Sequence, residues 1–169
     1  LYAIWVPRTY TIVFNPNATD IEGTMSSIPM TYGQTKNLTK NAYKRIGYKF
    51  VGWKMNNAST GTSYSDGASV SNLTTTNKST VTMYAQWKEI SYTIRFDKNR
   101  TDAIGTMQDL PMKYDEEKTL TRFSYSSVSG TFAGTWNTNP DGSGTAYEDG
   151  QKVINLTGDN GTVITLYAQ

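Results

Sequence analysis

The feature that most constrains this chain is that it repeats itself. Tyr10-Thr11-Ile12-Val13-Phe14 returns as Tyr92-Thr93-Ile94-Arg95-Phe96, 82 positions on. Gly23-Thr24-Met25 returns as Gly105-Thr106-Met107, and Pro29-Met30 as Pro111-Met112, at the same offset. Phe50 and Gly52 likewise match Phe132 and Gly134. One residue inserted near Thr135 moves the offset to 83. From there Trp53 meets Trp136, Asp66-Gly67 meets Asp149-Gly150, and Met83-Tyr84-Ala85-Gln86 meets Leu166-Tyr167-Ala168-Gln169. A repeated unit of roughly 80 residues without metal or disulfide has a thin core, so its aromatic anchors must carry much of its stability.

The opening Leu1-Tyr2-Ala3-Ile4-Trp5 matches Met83-Tyr84-Ala85-Gln86-Trp87, again at offset 82. Residues 1–8 therefore read as the tail of a preceding repeat, 9–90 as repeat one and 91–169 as repeat two. Leu1 is not an initiator, so the chain reads as part of a longer one. A closing strand without its own repeat should seek a partner. Leu1 to Trp5 is thus expected to pair with a sheet edge, in this chain or a neighbour's. The connectors after Trp5 and Trp87 are four residues long, a reach of at most ~13 Å, and neither is Gly/Ser-rich. Neighbouring repeats should nearly touch, giving an elongated row with limited hinge freedom.

Alternation with period two dominates both copies and argues for strands. Tyr10, Ile12 and Phe14 share one face; Thr11 and Val13 share the other. The second copy places Arg95 where Val13 stood, so that second face is expected to be wet or at a boundary. Val81, Met83, Ala85 and Trp87 alternate in the same way near the close of repeat one. Strands are expected around Met30–Tyr32, Met112–Tyr114 and Tyr48–Trp53. Asn-Pro and Asp-Gly pairs supply the turns between them. The best short helix candidate covers Ser69–Leu73, with its copy at Lys152–Leu156, and Asn160-Gly161 reads as a hairpin turn. The fold class is mainly β, α+β at most.

Composition excludes much chemistry. The 169 residues include no Cys and no His. That removes disulfides, thiolate nucleophiles, Ser-His-Asp triads and His- or Cys-ligated metals. No catalytic residue, cofactor or metal ligand is assigned, and the chain is read as not an enzyme. The net charge is +2, too small a field to imply nucleic acid. No run of about 18 apolar residues exists, so no membrane span is expected.

The remaining candidates each have a plain structural reading. The Trp residues could form a sugar-stacking platform, but their equivalent places in successive repeats favour core anchors. Tyr84 and Tyr167, on the opposite face of the closing strand, are better candidates for an exposed aromatic patch. Asp97-Lys98-Asn99-Arg100-Thr101-Asp102 spaces oxygens somewhat like a calcium loop but lacks its distal Glu, so a turn is favoured. Asp115-Glu116-Glu117 reads as a solvated run. Asn17, Asn37, Asn57, Asn72, Asn77 and Asn155 open Asn-x-Ser/Thr triplets, which a chain this rich in Asn and Thr produces by chance. Charge divides unevenly: residues 10–87 hold 7 basic and 3 acidic side chains, residues 92–169 hold 7 and 10.

The pattern resembles the Listeria–Bacteroides repeat, a tandem repeat of bacterial surface proteins related to the B repeat of internalin. The residues that carry the likeness are Tyr10–Phe14, Met30-Thr31-Tyr32-Gly33, the Gly47–Trp53 block, Tyr64–Gly67 and Met83–Trp87. The second copy departs from it, with Gly130 in place of Tyr48 and an extra residue before Trp136; a β-bulge is expected there. The resemblance implies β-grasp-like repeats, an extracellular or bacterial cell-surface location, and a stalk, spacer or adhesion role. Neighbouring repeats are the implied partners, with glycan or host-protein binding as the alternative.

Overall fold

The computed structural model of the chain describes residues 2–169; Leu1 lies outside the described residues. The chain divides into two compact units, 1–88 and 89–169. The first holds β1 (Thr9–Asn15), β2 (Ile28–Thr31), β3 (Thr35–Asn37), β4 (Tyr48–Met55), β5 (Ser63–Tyr64), β6 (Ser69–Ser71) and β7 (Ser79–Glu89). The second holds β8 (Ser91–Asp97), β9 (Ala103–Ile104), β10 (Leu110–Lys113), β11 (Lys118–Thr119), β12 (Ser126–Ser127), β13 (Thr135–Asn137), β14 (Ala146–Glu148), β15 (Lys152–Val153) and β16 (Val163–Ala168). The fold is mainly β, and no helix is found among the described residues.

Each unit is built on a five-stranded sheet, ordered β2-β1-β7-β4-β5 in the first and β10-β8-β16-β13-β14 in the second. In both, the first and last strands of the unit lie side by side and parallel. Tyr10 pairs with Ser79 and Phe14 with Met83; Thr93 pairs with Val163 and Phe96 with Leu166. The alternating residues do what their period requires. Tyr10, Ile12, Val81, Met83 and Ala85 are buried, while the faces between them are half-buried. Arg95 is exposed, on the face expected to be wet. Met30, Leu38 and Val70 complete the first core, and Met112, Leu120 and Val153 occupy the matching places in the second.

The edge strands are guarded alike. β2 and β10 each carry a proline, which has no N–H to offer another strand. The Pro29 carbonyl accepts Lys36 Nζ at 2.7 Å, and the Pro111 carbonyl accepts Lys118 Nζ at the same distance. A flexible cation therefore sits on an edge carbonyl in both copies.

Three expectations are corrected. The short helix candidates are strands, β6 and β15, paired with β3 and β11. Val70 and Val153 point into the core, and Asn72 and Asn155, both at φ 51°, end the strands in the left-handed region. Asn160-Gly161 makes a turn but no hairpin, because the strand that follows pairs in parallel with β8 rather than folding back on β15. Of the pairing expected for Leu1 to Trp5, the arm within this chain is not made: Tyr2 to Trp5 form no strand with any part of it, and Tyr2, Ile4 and Trp5 are almost fully exposed, while pairing with a neighbouring chain stays an expectation.

The extra residue before Trp136 is absorbed as an irregular widening. Gln169 accepts a hydrogen bond from the Ala133 amide at 2.7 Å and donates one to the Thr135 carbonyl at 3.0 Å. Gly134, at φ 75°, makes the bend between them. The cost is strand length: β4 runs for 8 residues, its counterpart β13 for 3.

Candidate functional site

Trp53 and Trp136 sit at the centre of their units, 1% and 0% exposed. Rings crowd each indole at separations typical of aromatic packing. Phe14 and Phe50 lie 4.9 Å from Trp53, and Phe96 lies 4.8 Å from Trp136. In both copies the indole N–H is buried with no hydrogen-bond partner. No sugar can stack on rings so enclosed. Trp87 is half-buried against Phe50 at 5.6 Å and donates its N–H to the Pro16 carbonyl at 2.8 Å. Tyr84 and Tyr167 are half-buried rather than fully displayed.

The loop after the first strand is held by an Asn or Asp side chain accepting the amide two residues on in each copy. Asn15 and Asp97 accept the amides of Asn17 and Asn99, both of which adopt positive φ. The Asn17 and Asn99 side chains then donate to the carbonyls of Ala85 and Ala168 in the closing strands. Asp20 and Asp102 end these loops. Asp20 accepts the Arg45 guanidinium at 3.0 Å, and this hydrogen bond is the largest cause of its lowered pKa. The Arg45 guanidinium also lies 3.6 Å from the centre of the Tyr48 ring, within cation–π range.

Asp102 is served differently. It accepts Arg100 Nε at 3.0 Å, Ser127 Oγ at 2.6 Å and Ser129 Oγ at 2.5 Å. These donors, Arg100 first, hold its carboxyl well below the usual carboxylate range. A carboxylate so stabilised is a poor proton acceptor, and its oxygens are already spent on Arg and Ser donors. Among the described residues no three His, Cys, Asp or Glu side chains are placed to hold a metal ion.

The acidic run is anchored within its own unit. Glu116 pairs with Lys118 at 3.3 Å and Glu117 with Lys152 at 2.7 Å, while Asp115 accepts the Asn155 amide at 2.8 Å. Three of the triplet Asn residues, Asn72, Asn77 and Asn155, act as staples between segments distant in sequence, a role invisible in the triplet pattern. Asn72 accepts the Gly33 amide at 2.6 Å and Asn155 the Asp115 amide at the same distance. Asn77 accepts the amide of Thr9, and Asn160 that of Ser91. The only sequence signal for these staples is their recurrence in both copies, since Asn tolerates the left-handed region.

The sequence profile of the Listeria-Bacteroides repeat domain matches residues 10–86 and again residues 92–169. Two curated proteins of Evansella cellulosilytica are similar. One, described as a "Putative Gly-rich membrane protein", is 35% identical over 74% of this chain and 14% of its own length. The other, described as a "Putative membrane protein", is 31% identical over 100% of this chain and 23% of its own length. The chain thus spans less than a quarter of the length of these curated relatives. No solved structure matches it. No helix of the described residues is long and apolar enough to cross a membrane.

Proposed function

The chain belongs to the Listeria-Bacteroides repeat family, and from that premise we propose that it is a non-catalytic tandem-repeat segment of a bacterial cell-surface or secreted protein, acting as a stalk or spacer, with adhesion as an accompanying role. Residues 9–90 and 91–169 act as its two folding units, and residues 1–8 belong to a preceding copy. The observation that carries this reading is that each unit closes a core of its own around one tryptophan and blocks one of the two edges of its main sheet with a proline and a lysine. Similar domains strung on one chain are at risk of exchanging strands. Guarded edges and separate cores are what a string of independent spacers requires.

Small-angle scattering on the whole chain tests the stalk. The expected result is an extended particle at all salt concentrations; a scattering curve fitted by one sphere would overturn it. The glycan-binding alternative loses its tryptophan platform, because Trp53 and Trp136 are enclosed, and keeps the half-buried rings of Tyr84 and Tyr167. A glycan array probed with the chain should be blank, and saturable binding to any sugar on it would reinstate that alternative.

A further inference from the structure

We propose that the first unit carries a phosphate-binding trough that its sister unit lacks. The trough, about 550 Å³, lies along strands β1 and β2 and is lined by Thr9, Thr11, Thr31, Gln34, Lys36 and Lys78. The three threonines alternate with the core residues Tyr10, Ile12 and Met30, so their hydroxyls stand on the outer face of the sheet. No carboxylate lines the trough. Lys36 is held in place by the Pro29 carbonyl and keeps two further N–H donors for a ligand. Arg8, which precedes the lining residue Thr9 in sequence, has its guanidinium on the Thr75 carbonyl and lies outside the lining.

Lys78 supplies a second, independent observation. It adopts φ 59°, where a side chain costs conformational energy. At the matching place the second unit has Gly161, at φ 80°. A lysine kept in a conformation that suits glycine points to a use for its side chain. The other counterparts remove the positive field. Gln34 becomes Glu116, which pairs with Lys118 at 3.3 Å, and Arg8 becomes the buried Ile90.

The donor set selects the ligand. A planar carboxylate is best matched by a guanidinium fork, and none lines the trough. Ammonium and hydroxyl donors arriving from several directions suit the tetrahedral oxygens of a phosphate. The open position of the trough admits a phosphate carried on a larger body.

The test is a titration of the whole ¹⁵N-labelled chain with tripolyphosphate, at ionic strength held constant with sodium chloride. Saturable amide shifts are expected at Thr9, Thr11, Thr31 to Lys36 and Lys78, with Ser91, Thr93, Lys118 and Gly161 still. Lys78→Gly and Gln34→Glu install the sister unit's own residues, so both variants should fold, and each should weaken binding by about tenfold. The proposal is overturned by shifts spread over every lysine of the unit, by unchanged affinity in both variants, or by a hexaglutamate peptide that binds as tightly as tripolyphosphate. It is also overturned if sedimentation shows the trough covered by a second copy of the chain, with tripolyphosphate merely dissociating the pair.

Discussion

In the first unit Trp53 is walled by Phe14, Tyr43 and Phe50; in the second Trp136 is walled by Phe96, Tyr125 and Phe123. Two of the three rings correspond by position, and the third does not. Phe50 belongs to the long strand β4 and lies 4.9 Å from its indole. Its counterpart Phe132 sits where the second unit has lost that strand, and it packs 5.1 Å from Phe123 instead. Phe123 stands where the first unit has Asn41, and lies 5.0 Å from Trp136. The acidic loops changed in the same way. Arg45 serves Asp20 across 25 residues and lies over Tyr48. In the second unit Ser127 stands at the place of Arg45, Arg100 at that of Ala18, and Gly130 at that of Tyr48. Arg100 reaches Asp102 from two residues away, and its guanidinium lies 5.5 Å from the Phe132 ring. What persists between the copies is a covered indole and a neutralised aspartate, while the residues that provide them have changed places.

The sharpest way to break this comparison is to remove the shared anchor. Trp53→Ala and Trp136→Ala should each cost ~3–5 kcal/mol, as expected for a fully buried large ring. Calorimetry should show one transition lowered and the other kept. Loss of both transitions from either variant would mean that the units are not independent.

The exchanged ring comes next. Phe50→Ala should cost the first unit about 2 kcal/mol, in proportion to a half-buried side chain. In the second unit Phe123→Ala should cost that much and Phe132→Ala about half as much. Equal costs at positions 123 and 132, read from urea unfolding, would refute the exchange.

The asparagine staples should cost less than the tryptophan anchors. Asn72→Ala loses one loop-spanning hydrogen bond and Asn155→Ala a reciprocal pair with Asp115, and both place alanine at positive φ, for about 2 kcal/mol in the first unit and about 3 kcal/mol in the second. Asn72→Gly and Asn155→Gly keep the backbone and lose only the side-chain bonds, for about 1 kcal/mol less than alanine in each unit. If glycine is no better than alanine by thermal melting, the left-handed backbone is not what selects asparagine.

The smallest effect is in acid. Asp20 and Asp102 both have lowered pKa values in the fold, so each stabilises it while ionised, at pH above the ordinary carboxylate range. That contribution is lost as pH falls from about 4 toward the lower folded value. Asp102 has more donors, so the second unit should lose stability more steeply below that point. Asp102→Asn should flatten its profile, and salt should shrink the difference, since Asp20 is exposed and Asp102 only half-buried. Melting curves between about pH 5 and pH 2 decide it, and parallel profiles for the two units would discard the idea.

Much of this was written along the chain. The repeat, the period-two alternation, the strand-rich class and the central place of Trp53 and Trp136 follow from residues compared with their neighbours and with their copies. Alternation reports which face of a strand is buried, and burial is local enough to leave that mark. The partner of each strand leaves no such mark. Tyr10–Phe14 alternates equally well against a parallel or an antiparallel neighbour, so only the folded chain decided that it lies parallel to β7, some 70 residues away. The same holds for Ser69–Ser71, whose short valine-centred stretch fits helix or strand until β3 lies against it. It also holds for Arg100 and Phe123, whose places in the first copy are taken by Ala18 and Asn41, residues unlike them. Position in a repeat is a property of the chain; filling a gap beside an indole or neutralising a carboxylate is a property of space, and residues distant in sequence can meet that need equally well.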